Sequence, residues 1–310
     1  MRALITGAAG FVGGHLATLA ADRGADAVGL GRDPSGPPTL SAYVQADLGD
    51  AAATRAAVAE LKPDAVFHLA ADASVGRSWQ APAETFENNT RATLNLLEAV
   101  RAEAPDAVVL HAGSGEQYGP VPEERLPITE DEPLRPQNPY AVSKSAADLL
   151  AGFYADAHGM RVIRTRAFNH AGPGQSDSYV VAAFARQIAE AERAGRSELV
   201  LETGNLAPRR DFCDVRDVVR AYWLAAERGE AAIFNVCSGV SRPVADILAG
   251  LARLTEVAVE QRTDPARLRQ HEVMDIRGSH ARLTEATGWQ PEIALEQTLA
   301  DTLDWWRANG

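Results

Sequence analysis

A glycine-rich turn near the start of the chain constrains the fold more than any other feature of the sequence. The apolar run at residues 3–6 is typical of a buried strand, and it leads directly into Gly7, Gly10 and Gly13. Glycines at this spacing allow a tight turn and close backbone approach, and the next helix presents its first N–H groups to a pyrophosphate. A strand, a turn and an amphipathic helix in this order predict a dinucleotide-binding site.

Beyond the turn, short apolar runs alternate with amphipathic stretches through two-thirds of the chain. Strands are predicted at residues 3–6, 27–30, 42–45, 65–69, 107–112 and 161–166, and helices at 11–22, 51–61, 82–103 and 139–158. This alternation is typical of βαβ units on a doubly wound parallel sheet. We therefore expect an α/β protein with a Rossmann-type domain over residues 1–168.

The pattern of predicted strands and helices changes after Asn169. Helices are predicted at residues 180–193, 215–228 and 295–307, a strand at 232–236, and helices and loops from Pro243 onward. We expect residues 169–210 and 239–310 to form a smaller C-terminal substrate lobe, with about 211–238 returning to the first domain. Such a lobe would cover the carboxyl ends of the strands, where open α/β sheets bind ligands.

The charge balance excludes several functional classes. The 30 basic and 42 acidic residues give a net charge of −12, which disfavours binding to nucleic acid or to an anionic membrane. No stretch approaches the roughly 18 apolar residues of a membrane span. Cys213 and Cys237 lack the spacing of a disulfide framework or a zinc site, and no histidine pair accompanies them. We expect a cytoplasmic protein without a metal site.

A second motif predicts catalytic chemistry. Asn138 suits a helix N-cap and Pro139 the first helical position, so Tyr140 and Lys144 share one helix face. An ammonium beside a phenol lowers the phenol's pKa, which predicts Tyr140 as a proton donor or acceptor near neutral pH. Lys144 is one of two lysines in the chain, and its compact ammonium can also reach ribose hydroxyls.

The end of the second predicted strand bears on the choice of cofactor. An acid at that point would bind the ribose 2′-hydroxyl of NAD(H), but Gly31 stands there and Arg32 follows, which suits the 2′-phosphate of NADP(H). Asp33 is an alternative source of the acid. Asp47, after the third strand, suits either the adenine amino group or the cap of the next helix. The sequence favours NADP(H) over NAD(H).

These motifs make the chain resemble the extended short-chain dehydrogenase/reductases that modify nucleotide sugars. The matching segments extend over nearly the whole chain and comprise residues 6–13, 68–71, 89–99, 114–119, 140–144, 169–174 and 210–217. Residues 166–175, 204–212 and 234–239 are most similar to GDP-4-dehydro-6-deoxy-D-mannose reductases. Gly113 and Gly115 depart from the serines of most relatives, which predicts a looser loop around Ser114.

The resemblance implies roles for individual residues. Tyr140 would be the acid/base, Lys144 its activator, and Ser114 a hydrogen-bonding partner of the substrate oxygen. Glu116 stands where 4,6-dehydratases keep the base for C5 of the sugar, although reductases of GDP-sugars also carry an acid there. The implied cofactor contacts are Gly7, Gly10, Phe11, Val12, Gly13, Arg32, Asp47, Leu48, Leu69, Ala70, Ala71, Tyr140 and Lys144. The implied substrate contacts are Ser114, Glu116, Asn169, Val180, Arg210 and Arg269. His170 suits either a substrate contact or a structural role.

The implied activity is the NADPH-dependent reduction of the C4 keto group of a GDP-4-keto-6-deoxyhexose, giving GDP-D-rhamnose. A GDP-mannose 4,6-dehydratase and a nucleotide-sugar 4-epimerase on the same fold stay open as alternatives, as does the nucleotide base. A non-catalytic NADP(H) sensor is disfavoured because such proteins generally lose the Tyr–Lys pair. Ala-rich helices, including residues 91–101 and 140–154, are expected to form a homodimer through a helical bundle, as in relatives.

Overall fold

Seven parallel strands form the central sheet of the protein. In the computed structural model, which describes residues 1–267 and 273–310, the sheet has the order β10-β6-β5-β4-β1-β2-β3. The strands are β1 (Arg2–Thr6), β2 (Asp26–Gly31), β3 (Ala42–Gln45), β4 (Ala65–His68), β5 (Val108–Ser114), β6 (Val162–Ala167), β7 (Asn169–Ala171), β8 (Glu198–Thr203), β9 (Arg209–Asp214), β10 (Ala232–Val236), β11 (Ser241–Pro243), β12 (Ala258–Thr263) and β13 (Asp275–Ile276).

Helices cover both faces of this sheet and build the second part of the molecule. They are α1 (Phe11–Asp22), α2 (Ala51–Leu61), α3 (Val75–Gln80), α4 (Pro82–Glu103), α5 (Pro139–His158), α6 (Val180–Arg193), α7 (Val215–Arg228), α8 (Val244–Ala252), α9 (Ala281–Thr287) and α10 (Leu295–Asn309). The predicted α/β fold class with a doubly wound parallel sheet is confirmed. Strand β3 matches its predicted bounds, and strands β1, β2, β4, β5 and β6 differ from theirs by one or two residues, as is usual at element ends.

The strand order explains where a ligand can bind. Consecutive strands run outward from β1 through β2 to β3, and then from β4 outward on the other side of β1. Connections therefore leave β1 and β4 in opposite directions and open a crevice at their carboxyl ends. Neighbouring residues of β1 point to opposite faces: Leu4 packs with α2 and α4, whereas Ile5 packs with α1 and α7. Both faces are buried, which is typical of parallel sheets.

A separate apolar cluster lies outside the sheet. Phe184 and Ile188 of α6 pack there with Leu248 of α8 and Leu303 of α10. The prediction of helices and loops from Pro243 onward was wrong in part, because β12 and β13 lie in that stretch, and β11, which ends at Pro243, was also not predicted. These strands are short, and β12 is largely exposed, so they lack the apolar alternation by which a strand is recognised in a sequence.

The helix caps follow from local chemistry. The Asn138 Oδ1 accepts the N–H of Ala141 at 2.8 Å and caps α5, as predicted. Helix α2 is capped by Asp50, whose Oδ1 accepts the N–H groups of Ala52 and Ala53. The capping alternative for Asp47 is therefore wrong, since its Oδ1 accepts the N–H of Gly49 within the preceding turn.

No helix in the described part of the chain is both long enough and apolar enough to cross a membrane.

Candidate active site

The glycine turn is held tightly against the end of β4. Gly7 has a positive φ of 68°, and a Cβ there would lie 3.0 Å from the backbone of Ala70. A Cβ at Gly13 would lie 2.3 Å from the Gly7 carbonyl oxygen. The Thr6 Oγ1 accepts the N–H groups of Leu69 and Ala70, both at 3.2 Å, and so ties β1 to the segment after β4. The turn is a cradle that side chains would fill.

The other predicted cofactor contacts differ in exposure. Phe11 and Val12 begin α1 and are half-buried, whereas Arg32, Asp47 and Ala71 are exposed. The buried Leu48 is fixed through its carbonyl oxygen, which accepts a 2.7 Å bond from the Asn95 Nδ2. A Cβ at position 31 would lie 2.8 Å from the hydroxyl of Tyr43. An acidic side chain at the end of β2 would therefore require Tyr43 to move.

Ser114 and Tyr140 meet at the carboxyl edge of the sheet. Ser114 ends β5 and is buried, and Tyr140 lies in the first turn of α5. A hydrogen bond joins their hydroxyls. Burial raises the pKa of Tyr140, and the nearby charge of Glu116 raises it further against the effect of the Ser114 hydrogen bond. The prediction of a lowered pKa was wrong because desolvation by burial dominates the pKa of Tyr140 and Lys144 is not among its main influences.

The loop around Ser114 is closely packed. A Cβ at Gly113 would lie 2.6 Å from the Gln117 Oε1, and a Cβ at Gly115 would lie 3.1 Å from the ring of Phe168. The Gln117 Oε1 accepts the N–H of Ser114 at 2.6 Å, which closes a capping box. Larger neighbours fill the space that the two glycines leave, so the packing gives no sign of the predicted looseness.

Lys144 lies one turn after Tyr140 on α5 and is 5% exposed. Burial lowers the pKa of its ammonium to about 8, and the carboxylate of Asp148, one further turn along, acts in the opposite direction. The two effects leave Lys144 mostly protonated at neutral pH. The structure thus places Tyr140 and Lys144 one turn apart on α5, next to the edge of the sheet where Ser114 ends β5.

Glu116 is tied to the start of the same helix. Its Oε2 accepts a hydrogen bond from the Asn138 Nδ2 at 3.1 Å. Asn138 therefore uses its oxygen to cap α5 and its nitrogen to hold Glu116 beside the Tyr140 hydroxyl. Sequence reasoning predicted the cap and missed the second bond, although an asparagine cap leaves an amide N–H₂ free to donate.

The predicted substrate contacts lie on the opposite rim of the crevice. Asn169 is exposed at the start of β7, and Val180 begins α6. The Arg210 Nη1 donates to the carbonyl oxygens of Arg209 and Val273, both at 2.8 Å. Arg269 lies outside the described residues. Arg210 therefore already binds backbone carbonyls on two segments of the chain.

Two further side chains lie near the site. The sequence left the role of His170 open and did not identify Tyr179. The ring of His170 stacks on Phe11 with centroids 6.1 Å apart, and its Nδ1 is 3.0 Å from the Phe168 carbonyl oxygen. It packs against the glycine turn, which favours the structural role. Tyr179 donates to the Ala73 carbonyl oxygen at 3.4 Å, and it contributes to raising the pKa of Tyr140. Nothing in its sequence context marks Tyr179.

A phenol beside a serine hydroxyl and one helical turn from a lysine lies here at the edge of a sheet whose first turn suits a pyrophosphate. Such a phenol can exchange a proton while a dinucleotide exchanges a hydride. Together with the seven-stranded parallel sheet, this arrangement defines an extended short-chain dehydrogenase/reductase, an NAD(P)-dependent enzyme of nucleotide sugars. The chain belongs to the family described as GDP-mannose 4,6 dehydratase, whose sequence model matches residues 4–302.

Individual relatives narrow the comparison. The chain is 44% identical over 248 residues to GDP-6-deoxy-D-mannose reductase of Pseudomonas aeruginosa, which covers 80% of this chain and 81% of that protein. It is 33% identical to UDP-glucose 4-epimerase of Mycolicibacterium smegmatis, over 99% of both chains. Among solved structures, RMD from Pseudomonas aeruginosa complexed with NADPH matches with a TM-score of 0.85 and 38% identity, over 100% of this chain and 99% of that one.

Proposed function

We propose that the chain reduces the C4 keto group of a GDP-4-keto-6-deoxyhexose with NADPH, giving GDP-D-rhamnose. The observation that carries the proposal is the 44% identity with GDP-6-deoxy-D-mannose reductase over 80% of the chain. The solved relative with NADPH, which matches over 100% of the chain, supports the choice of cofactor. The raised pKa of Tyr140 keeps its phenol protonated before the reaction, which is compatible with a role as proton donor.

Each residue of the site has a separate role in the proposed reduction. NADPH supplies a hydride when it is bound across the Gly7–Gly13 turn. Ser114 orients the keto oxygen of the sugar toward Tyr140, to which it is already hydrogen-bonded. Tyr140 donates its proton to that oxygen as carbon C4 gains the hydride, so the carbonyl becomes a hydroxyl. The ammonium of Lys144 then stabilises the phenolate until solvent returns the proton.

The cofactor side of the site fits NADPH. The backbone of the glycine turn leaves room that a Cβ would occupy, and α1 begins directly behind it. Arg32 is exposed just beyond β2 and available to a 2′-phosphate, while Tyr43 fills the space that an acid at position 31 would need. Asp47, Leu48, Leu69, Ala70 and Ala71 are proposed as the remaining cofactor contacts.

The substrate side is proposed from the rim of the second lobe. We assign Asn169, Val180, Arg210 and Arg269 to the nucleotide diphosphate, and Ser114 and Glu116 to the sugar. In this division residues 1–168 and about 211–238 hold the cofactor, and residues 169–210 and 239–310 hold the substrate. Strand β10 supports it, since it returns to the sheet and pairs with β6.

The test is the oxidation of NADPH, followed at its absorbance, with GDP-4-keto-6-deoxymannose as the substrate. We expect stoichiometric formation of a GDP-6-deoxyhexose, and slower turnover with NADH. UDP- and dTDP-linked 4-keto sugars are the controls for the nucleotide. Turnover of GDP-mannose without added cofactor, and none of the keto sugar, would assign the chain to the dehydratases instead.

The dehydratase is the second candidate because of Glu116. Its carboxylate faces the same space as Tyr140 and is held there by Asn138. A base in this position could remove a proton from C5 of the sugar. The Glu116→Gln variant separates the two functions, because the substitution should abolish a dehydratase and leave a reductase with much of its turnover.

We also infer a homodimer built on α4 and α5. These helices pack on each other and carry exposed apolar side chains, namely Phe86, Leu94, Val142, Leu149 and Phe153. Leu149→Glu should shift sedimentation from dimer to monomer, whereas Leu254→Glu, at an exposed apolar residue outside these helices, should not. An unchanged sedimentation coefficient in Leu149→Glu would argue against this interface.

A cytoplasmic location is proposed on chemical grounds. Cys213 and Cys237 are free, buried thiols, which suits a reducing compartment. Fractionation of the source cells tests this proposal, and recovery of the protein outside the cytoplasmic fraction would contradict it.

A further inference from the structure

Lys144 interacts electrostatically with several buried ionisable groups. A row of paired residues crosses β4, β5 and β6, with His68 beside His111 and His111 beside Arg164. The positive charge of Lys144 lowers the pKa of both histidines, and both are at most 3% exposed. Tyr140 and Asp148 face the same region from α5, one turn before and one turn after Lys144.

The hydrogen bonds around His68 keep its ring neutral. The Thr6 Oγ1 already accepts two backbone N–H groups, so its own proton goes to the His68 Nδ1 at 2.9 Å. The His68 Nε2–H then donates to the Thr93 Oγ1 at 3.0 Å, and Thr93 donates onward to the Asn89 carbonyl oxygen. A second ring proton would have no acceptor, and burial lowers the pKa of His68 to about 3.

His111 is also neutral. Neither of its ring nitrogens has a hydrogen-bond partner among the described residues. Burial lowers its pKa well below the ordinary value, and the charges of Lys144 and Arg164 act in the same direction. The two histidines therefore add no positive charge beside Lys144, and they offer it no negative charge either.

The negative charge comes from Asp148. This carboxylate is fully buried, and its Oδ2 accepts from the Arg166 Nη2 at 3.1 Å and from the Arg164 Nη1 at 3.3 Å. Its Oδ1 has no hydrogen-bond partner in the described part of the chain. A buried carboxylate oxygen without a hydrogen-bond partner is costly, and a nearby cation such as Lys144 reduces that cost.

We propose that Asp148 is a positioning residue that keeps Lys144 cationic in the active site, with Arg164 and Arg166 fixing its carboxylate below α5. The two arginines hold one oxygen of Asp148 and leave the other unshared. Asp148 lies four residues after Lys144, on the same face of α5. Coulomb attraction between close buried charges is weakly screened. Asp148 accordingly opposes the effect of burial on the pKa of Lys144.

The test uses the scarcity of lysine in this chain. Selective ¹⁵N labelling of lysine gives two side-chain signals, from Lys144 and from the exposed Lys62, which serves as an internal reference. We expect the Lys144 signal to titrate with a midpoint near pH 8. In Asp148→Asn, the proton affinity of Lys144 should fall about tenfold or more. Asp156→Asn, at an exposed aspartate of the same helix, should leave both signals unchanged.

A second measurement covers the case in which Asp148→Asn does not fold. In wild-type protein labelled with ¹³C at the aspartate carboxyls, one carboxyl signal should follow the titration of Lys144 with the same midpoint. That response should vanish in Lys144→Gln. If Asp148→Asn folds and the midpoint of Lys144 is unchanged, or if no carboxyl signal follows Lys144, the proposal is wrong.

The consequence for turnover rests on the proposed function. The alkaline limb of the kcat profile should move to lower pH in Asp148→Asn, because Lys144 loses its proton earlier. The NMR titration needs no substrate, so a failure of the proposed reaction would leave the test of Asp148 intact.

Discussion

The two sides of the crevice are built in different ways. On the side of the sheet, Ser114 and Lys144 are buried, and the glycine turn is packed so closely that added side chains would clash with its neighbours. On the side of the second lobe, Asn169 and Arg210 are exposed or half-exposed. The first side is fixed by close packing, whereas the second exposes Asn169 and leaves Arg210 half-exposed although its Nη1 already donates to two backbone carbonyls.

This difference separates substitutions that should abolish chemistry or folding from those that should alter selectivity. Changes on the sheet side act on groups with fixed partners, so their effects should be large. Changes at exposed residues of the rim or the cofactor edge should leave the fold intact and shift affinity by smaller factors.

The largest loss is expected for Tyr140→Phe. The variant keeps the ring and removes the proton donor that Ser114 contacts, so turnover should fall by about 10²- to 10⁴-fold. Steady-state NADPH oxidation measures the effect. Tyr179→Phe is the matched control, since its hydroxyl contacts Ala73 across the crevice and it should retain most of the turnover. Near wild-type turnover in Tyr140→Phe would contradict the assignment of the acid.

Lys144→Arg should lose most of the activity while keeping the charge. A planar guanidinium in place of a compact ammonium alters both the proposed contact with the ribose and the packing of a side chain that is 5% exposed. Lys62→Arg, at the exposed end of α2, provides the control. If kcat survived nearly intact in Lys144→Arg, the proposed mechanism would be wrong.

Gly13→Ala tests the packing of the turn. Its Cβ would meet the Gly7 carbonyl oxygen at 2.3 Å, so the free energy of unfolding should fall by roughly 1–3 kcal/mol and NADPH affinity should fall with it. Gly14→Ala is the neighbouring control, because a Cβ there meets nothing within 4 Å. Urea denaturation of both variants gives the comparison, and equal stabilities would show that the turn is looser than its geometry indicates.

The smallest effect is expected at the cofactor edge. Arg32→Gln removes an exposed cation next to β2, so the Kd for NADPH should rise about tenfold while that for NADH stays constant. Fluorescence titration of both nucleotides measures the change, with Arg55→Gln on the exposed face of α2 as the control. An equal loss for both nucleotides would place Arg32 away from the 2′-phosphate.

The same contrast governs how far the sequence predicts the structure. The glycine turn, the cap at Asn138 and the pairing of Tyr140 with Lys144 depend on contacts within a few residues, and local spacing reveals them. The raised pKa of Tyr140, the bond from Asn138 to Glu116 and the position of Asp148 depend on burial and on partners distant in sequence. The strands of the second lobe are harder to predict from the sequence, because they are short and carry little apolar alternation.

The most direct measurement follows a deuterium label from the cofactor. NADPH deuterated at the transferred position is incubated with GDP-4-keto-6-deoxymannose, and the product is analysed by NMR. The proposed reduction places deuterium on C4 of the sugar with one NADPH oxidised for each product formed. A keto sugar recovered without deuterium and without oxidation of NADPH, under conditions in which GDP-mannose is dehydrated, would contradict it.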